Sequence, residues 1–209
     1  MKHRKKVKLM LKTHKVRLYP NSHMLTVIQD LCSYSRYCYN QALETWNSQY
    51  DVSVVMKDKS LRPTRFSVVN ELVRNKKDWQ YNYSSRVLQK AVADLARGWR
   101  NFFNSNMPDH NKPKFKSAKH DKQGFATDRA KVKDDKLILD RPRGISKGNW
   151  YGIRMSEPIR FTGKIKLTVI TKDVHGYSAS LMIDTEDNEV PVTKGTVGID
   201  ATIKRFNYG

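Results

Sequence analysis

Acidic residues are scarce in this chain: 20 Asp and Glu stand against 40 Lys and Arg in 209 residues, a formal net charge of +20. An excess of that size argues against cationic partners and for a polyanion, nucleic acid first, because phosphates release counterions to Lys and Arg. Long apolar runs are missing as well. None nears the ~18 to 20 residues that span a bilayer, and the basic start Met1 to Lys8 is followed by no signal-peptide core. No single amphipathic helix gathers the basic residues beside an exposed apolar face, which sets a membrane surface behind nucleic acid. Cysteine is limited to Cys32 and Cys38. Their six-residue offset on one expected helix is too long for a disulfide, which fits a reducing cytoplasm.

Phosphate-cradling motifs are absent too. The ten glycines are scattered, and neither G-x-G-x-x-G nor G-x-x-x-x-G-K-[ST] occurs, so nucleotide hydrolysis is not expected. The six histidines show no zinc spacing with one another or with the cysteines, and no metal site is predicted. What is plentiful is aromatic bulk: 4 Trp, 10 Tyr and 7 Phe are too many large side chains for a disordered basic tail, so the chain should fold.

Residues 7 to 19 alternate as a strand, with Val7, Leu9 and Leu11 on one face and Val16 and Leu18 following a break at Thr13 to Lys15. From Ser22, a candidate N-cap, the period turns helical through Leu25, Ile28, Cys32, Ser35, Tyr39, Ala42 and Trp46. Asp51 to Pro63 lacks a period, a second helix is predicted over Phe66 to Lys77, and a third over Ser84 to Asn104. The third carries an apolar stripe of Leu88, Ala91, Leu95, Trp99 and Phe102, with Arg86, Lys90, Arg97 and Arg100 opposite. That basic face is either simply solvated or a phosphate contact, and the net charge favours the latter.

A polar basic connector runs from Pro108 to Lys133, and short strands follow at 136–140, 150–155, 164–174, 177–184 and 196–200, with a hairpin turn at Val174, His175 and Gly176. The order is strand, helices, connector, strands. The first strand can complete the later sheet only if the helices are an insertion in a β-barrel or curled sheet. Asp134, Asp135 and the acids from Asp184 to Glu189 read as turn residues, whereas Asp200 ends the apolar run V-G-I-D, where metal-dependent nucleases often mount a first ligand.

Six segments in order, K-V-R-L-Y-P (15–20), C-S-Y-S-R-Y-C-Y-N (32–40), S-R-V-L-Q-K-A-V-A-D-L-A-R-G-W-R-N-F-F (85–103), K-P-K-F-K-S (112–117), G-K-I-K (163–166) and V-G-I-D-A-T-I-K (197–204), together resemble the N-terminal half of TnpB. TnpB proteins are transposon-encoded RNA-guided nucleases related to the type V CRISPR effectors. The resemblance implies an α+β fold: a wedge β-barrel like an oligonucleotide-binding fold over 1–20 and 106–195, interrupted by a helical recognition domain over 21–105, then a RuvC start at 196–209. Gly198, Ile199 and Asp200 match the first RuvC strand, while Ala201 and Thr202 replace its usual residues. No acid follows Asp200 before Gly209, so that aspartate lacks partners for a two-metal site, and a nuclease-dead protein is expected, with no catalytic residue and no zinc or magnesium cofactor.

The resemblance further implies a guide RNA as partner, a target duplex with a short adjacent motif, and transcriptional repression at the guided site. Arg86, Gln89, Lys90 and Gln123 are the candidates for the motif-proximal DNA, since an amide can read adenine edges. Arg4, Lys5, Lys6, Lys15, Arg17, Arg97, Arg100, Lys112, Lys114, Lys116 and Lys119 are candidates for RNA backbone. Tyr37, Tyr39, Phe115 and Phe125 could stack on bases, the two tyrosines equally well being core residues. The alternatives are an RNA-stabilising module that targets no DNA, and the N-terminal subunit or remnant of a split or truncated nuclease.

Overall fold

A computed structural model describes residues 9–119, 122–142, 145–186, 199–201 and 206–208. The chain opens with strand β1, Leu9–Tyr19, followed by the helices α1, Ser22–Val55, α2, Arg65–Arg74, and α3, Ser85–Phe102. Strands β2, Gly124–Thr127, β3, Lys131–Lys133, β4, Lys136–Ile138, β5, Ile153–Met155, β6, Lys164–Asp173, and β7, Gly176–Glu186, come next. The short β8, Ile199–Ala201, and β9, Phe206–Tyr208, form a separate antiparallel pair.

The seven strands β1 to β7 make one antiparallel sheet in the order β2-β6-β7-β1-β5-β4-β3. The first strand of the sequence thus lies inside the sheet, bonded to β7 on one side and β5 on the other, with α1 to α3 inserted in the chain between it and the rest. The fold is α+β, three helices against a curled half-barrel. Its outer strands β2 and β3 do not pair with each other, so among the described residues the expected barrel stays open.

β1 runs without the expected break at Thr13 to Lys15. Its ten-residue ladder with β7 is continuous, and His14, Val16 and Leu18 face inward in strict alternation while Leu11 is 58% exposed. A histidine can hold an inward position because both ring nitrogens are satisfied. Nδ1 accepts from the Arg160 backbone N–H at 3.4 Å and Nε2 donates to Glu157 at 3.2 Å, a pairing that requires the Nε2–H tautomer. Glu157 is held below the usual carboxylate range by Arg160 first and His14 second.

α1 is capped by Asn21, not Ser22: the Asn21 side chain accepts from the Met24 N–H at 2.8 Å. The helix also continues into the segment whose sequence lacks a period, as far as Val55, although Val52, Val54 and Val55 there stay exposed. Ser53 there is buried and its hydroxyl donates to the Tyr50 carbonyl at 2.6 Å. α2 begins with a reciprocal capping box between Thr64 and Ser67, and Ser84 caps α3. One contiguous buried cluster joins Ile28, Leu43, Leu88 and Leu95 of the helices to Val16, Ile170, Leu181 and Ile183 of the sheet. Cys32 and Cys38 are buried free thiols on α1, pushed up by burial to about 11 and about 12 respectively.

Candidate nucleic-acid interface

The stripe on α3 divides its two faces much as its period predicts: Leu88, Ala91, Leu95 and Trp99 are buried, Phe102 at its end is exposed, and the basic residues lie opposite. The basic face is not uniformly solvated. Its C-terminal part borders a groove of about 820 Å³ between α3 and the sheet, floored by Ala126, Leu167, Val169 and Met182 of β2, β6 and β7. Six basic side chains, Arg65, Lys90, Arg97, Arg100, Lys116 and Lys122, line it against one acid, Asp94. Low-dielectric walls under a single sign of charge concentrate the field in such a cleft. Arg97 gives part of its charge to Asp94 one turn earlier on the helix.

The N-terminal part of the same face is committed to the fold. Lys90 Nζ lies 3.0 Å from Asp128, Arg86 Nε 3.6 Å from the same carboxylate, and Arg86 Nη1 donates to the Gln89 side-chain oxygen at 3.0 Å. Burial works to raise the Asp128 pKa, but the hydrogen bond and charge of Lys90, with the charge of Arg86, hold it below the usual carboxylate range. Asp128 follows β2, so this cluster ties α3 to the sheet edge and lets Lys90 face both the tie and the groove.

The connector is strapped down, not loose. Asn40 of α1 clamps Lys116 by two hydrogen bonds of its side-chain amide: its Nδ2 donates to the Lys116 carbonyl at 2.9 Å and its Oδ1 accepts from the Lys116 N–H at 2.8 Å. A Cβ on Gly98 would meet Pro113 Cγ at 3.3 Å, so the glycine allows the strap to lie close on α3. Lys112 sits over the Trp99 ring and Lys116 over Tyr39 at 3.8 Å. Strand β2 arises at the end of this connector, where Gln123 accepts a hydrogen bond from Arg36 and donates to the carbonyls of Ala118 at 3.2 Å and Ser117 at 3.4 Å.

The expected site residues therefore separate by place. Lys90, Arg97, Arg100 and Lys116 converge on the groove. Arg65 and Lys122 join them; sequence reasoning missed Arg65 because nothing in the α2 pattern ties its first turn to α3. Lys15 and Arg17 lie on the outward face of β1, where Arg17 donates to the His175 carbonyl. Lys112, Lys114 and Lys119 are exposed on or just past the strap, and Arg4, Lys5 and Lys6 lie outside the described residues.

The amides of Gln89 and Gln123 both carry internal hydrogen bonds. Phe125 is 3% exposed and belongs to the buried cluster even though it borders the groove, so little of its ring is open to a base. Tyr39 is likewise buried, and Tyr37 packs edge-on against Trp79 at 5.1 Å. Phe115 is 60% exposed and keeps an open ring. Asp200 lies on β8, and among the described residues no three His, Cys, Asp or Glu side chains gather as a metal site. No helix among them is long and apolar enough to cross a membrane.

Residues 10–52, about a fifth of the chain, match the family model for the helix-turn-helix domain of IS605 OrfB proteins, the transposase family to which the TnpB resemblance points. The fold of that stretch differs from its description. It contains strand β1 and most of the single unbroken helix α1, with no turn between two helices. No curated protein matches the chain.

Proposed function

We propose that this chain is a transposon-derived nucleic-acid-binding protein of the TnpB type that holds a guide RNA, occupies a DNA duplex matching that RNA, and represses transcription there without cutting. In this reading the half-barrel is the wedge, α1 to α3 form the recognition domain, and β8 with β9 opens a RuvC domain. The helix-turn-helix family match supports a transposon origin and DNA binding. The observation that carries the proposal is the groove: six cations converge from α2, α3 and the strap on an apolar floor, with one acid among them. Such a cleft suits a phosphate backbone, because each contact gains by counterion release and the low-dielectric floor strengthens the field. The resemblance to TnpB implies that sequence selection falls to base pairing by the RNA.

A second reading, an RNA-stabilising module that targets no DNA, is favoured by one observation. Gln89 and Gln123, the residues best suited to reading base edges, spend hydrogen bonds inside the fold. One experiment separates the two. The chain is purified with its bound RNA, the RNA is sequenced, and binding and cleavage of a matching and a mismatched duplex are measured with Mg²⁺. The proposal expects retention of the matching duplex uncut. RNA without duplex binding moves the assignment to the second reading, and Mg²⁺-dependent cutting by this chain alone overturns the repressor.

A further inference from the structure

On the opposite face of α3 from the groove, a second pocket of about 480 Å³ opens between the C-terminal turns of α1 and α3, within the usual ~300 to 1,000 Å³ of ligand sites. Its aromatic wall is ordered. Trp46 and Trp99 are near parallel, 9° apart at 6.1 Å, and Trp99 and Phe103 lie 17° apart at 5.7 Å. Phe103 closes α3 and is 67% exposed, so a flat face is turned to solvent. Four residues with polar groups complete the lining: Asn47, Tyr50 and Asp51 of α1, and Lys112 from the strap, whose ammonium stands 5.5 Å from the Trp99 ring centre. Asp51 takes part in no ion pair among the described residues.

We infer that this pocket binds an unpaired guanine nucleotide, its base stacked on the exposed face of Phe103, which Trp99 backs from behind, its Watson–Crick edge on Asp51 and its phosphate on Lys112. The aromatic wall by itself would accept any base. The carboxylate makes the difference. The site rests on the nucleic-acid reading above: in a protein with 40 basic and 20 acidic residues, an exposed acid beside an open aromatic face repels backbone phosphate and favours a base edge that presents donors. A carboxylate accepts only, with two oxygens, and guanine is the base that presents two adjacent donors, N1–H and the N2 amine, on one edge. Adenine and cytosine place a ring acceptor there, and uracil offers a single N–H. Asn47, one turn back along α1, carries an amide able to donate to the guanine O6.

The site is independent of the groove, and its test is built to stay so. Fluorescein-labelled pentamers UUGUU, UUAUU, UUIUU with inosine, and UUUUU, with the DNA counterpart TTGTT, are titrated by anisotropy into the full chain carrying Arg65→Gln, Arg97→Gln and Arg100→Gln, which weakens groove binding. The guanine pentamer should bind roughly tenfold tighter than the uridine one, with inosine between them because it lacks the N2 donor. Phe103→Ala should lower affinity for every pentamer. Asp51→Asn should bring guanine down to the uridine level while leaving uridine unchanged, which a folding defect would not do. Guanine preference in either sugar form supports the site and tells which strand enters it. Equal affinity for all pentamers, or guanine preference that survives Asp51→Asn, overturns it.

Discussion

Replacing Arg65, Arg97 and Arg100 with glutamine tests the groove most directly, since all three line it and all are exposed. Neutralising one phosphate-binding cation should reduce the slope of log K against log salt by about 0.9, which at ~0.15 M salt is about fivefold in affinity. Neutralising three would amount to about 150-fold, or ~3 kcal/mol. Arg97 shares its charge with Asp94, so its own contribution is smaller, and a loss of about 30- to 150-fold is expected. Folding should be nearly unaffected, because the Arg97–Asp94 pair is solvent-exposed and such pairs contribute under about 1 kcal/mol.

The matched control removes the same charge at the other end of the sheet, with Lys131→Gln, Lys133→Gln and Lys136→Gln on the exposed surface of β3 and β4. Filter binding or anisotropy with a structured RNA across a salt series reads both slopes. If the control triple loses as much affinity and slope as the groove triple, the positive charge acts as a diffuse field and the groove is not the site.

Three further outcomes follow from the fold. Asp128 is ionised below its ordinary range in the folded chain, so its stabilisation is present above the unfolded value of 3.8 and lost as pH falls through the lower folded value. Asp128→Asn should therefore lower Tm at pH 7 and flatten the acid limb of a thermal-melt series below pH 4; an unchanged limb would remove the tie between α3 and the sheet. Gly163→Ala, at a position of positive φ, would drive a Cβ into the Asp184 carbonyl across the β6–β7 ladder, and urea unfolding should record a loss of about 1–3 kcal/mol. Cys32 and Cys38, buried and with thiols pushed to about 11 and about 12, should resist a thiol reagent at pH 8 in the native chain and both react in denaturant. Rapid native labelling would show that α1 opens.

Much of the fold was legible because periodicity survives without neighbours. The α3 stripe is buried as expected up to Trp99, with Phe102 at its end exposed, the β6–β7 hairpin turns at Val174 and His175 with Gly176 at φ +117°, and the adjacent Asp134 and Asp135 both adopt positive φ in the β3–β4 turn. Strands β2 and β3 were hidden in the basic connector, since Gly124–Thr127 offers one large apolar side chain and takes its order from pairing with β6. His14 hid the continuity of β1, because a polar residue on the inward face reads as an interruption until Glu157 and Arg160 arrive from 143 and 146 residues away.

The candidate site divides in the same way. Composition and order of residues were enough to establish the positive charge, the two-faced α3 and an α+β chain with helices inserted behind its first strand, because charge and local period are properties of the chain itself. Which cations face a ligand was decided by tertiary structure alone. Arg86, Lys90 and Arg97 share one helical face, yet Asp128 takes Arg86 and half of Lys90 into the fold, while Arg65 and Lys122 reach the groove from elements distant in sequence. The physical reason is that a charge is available to a partner only after the nearest opposite charge has been counted, and that neighbour is supplied by the packing of separate elements.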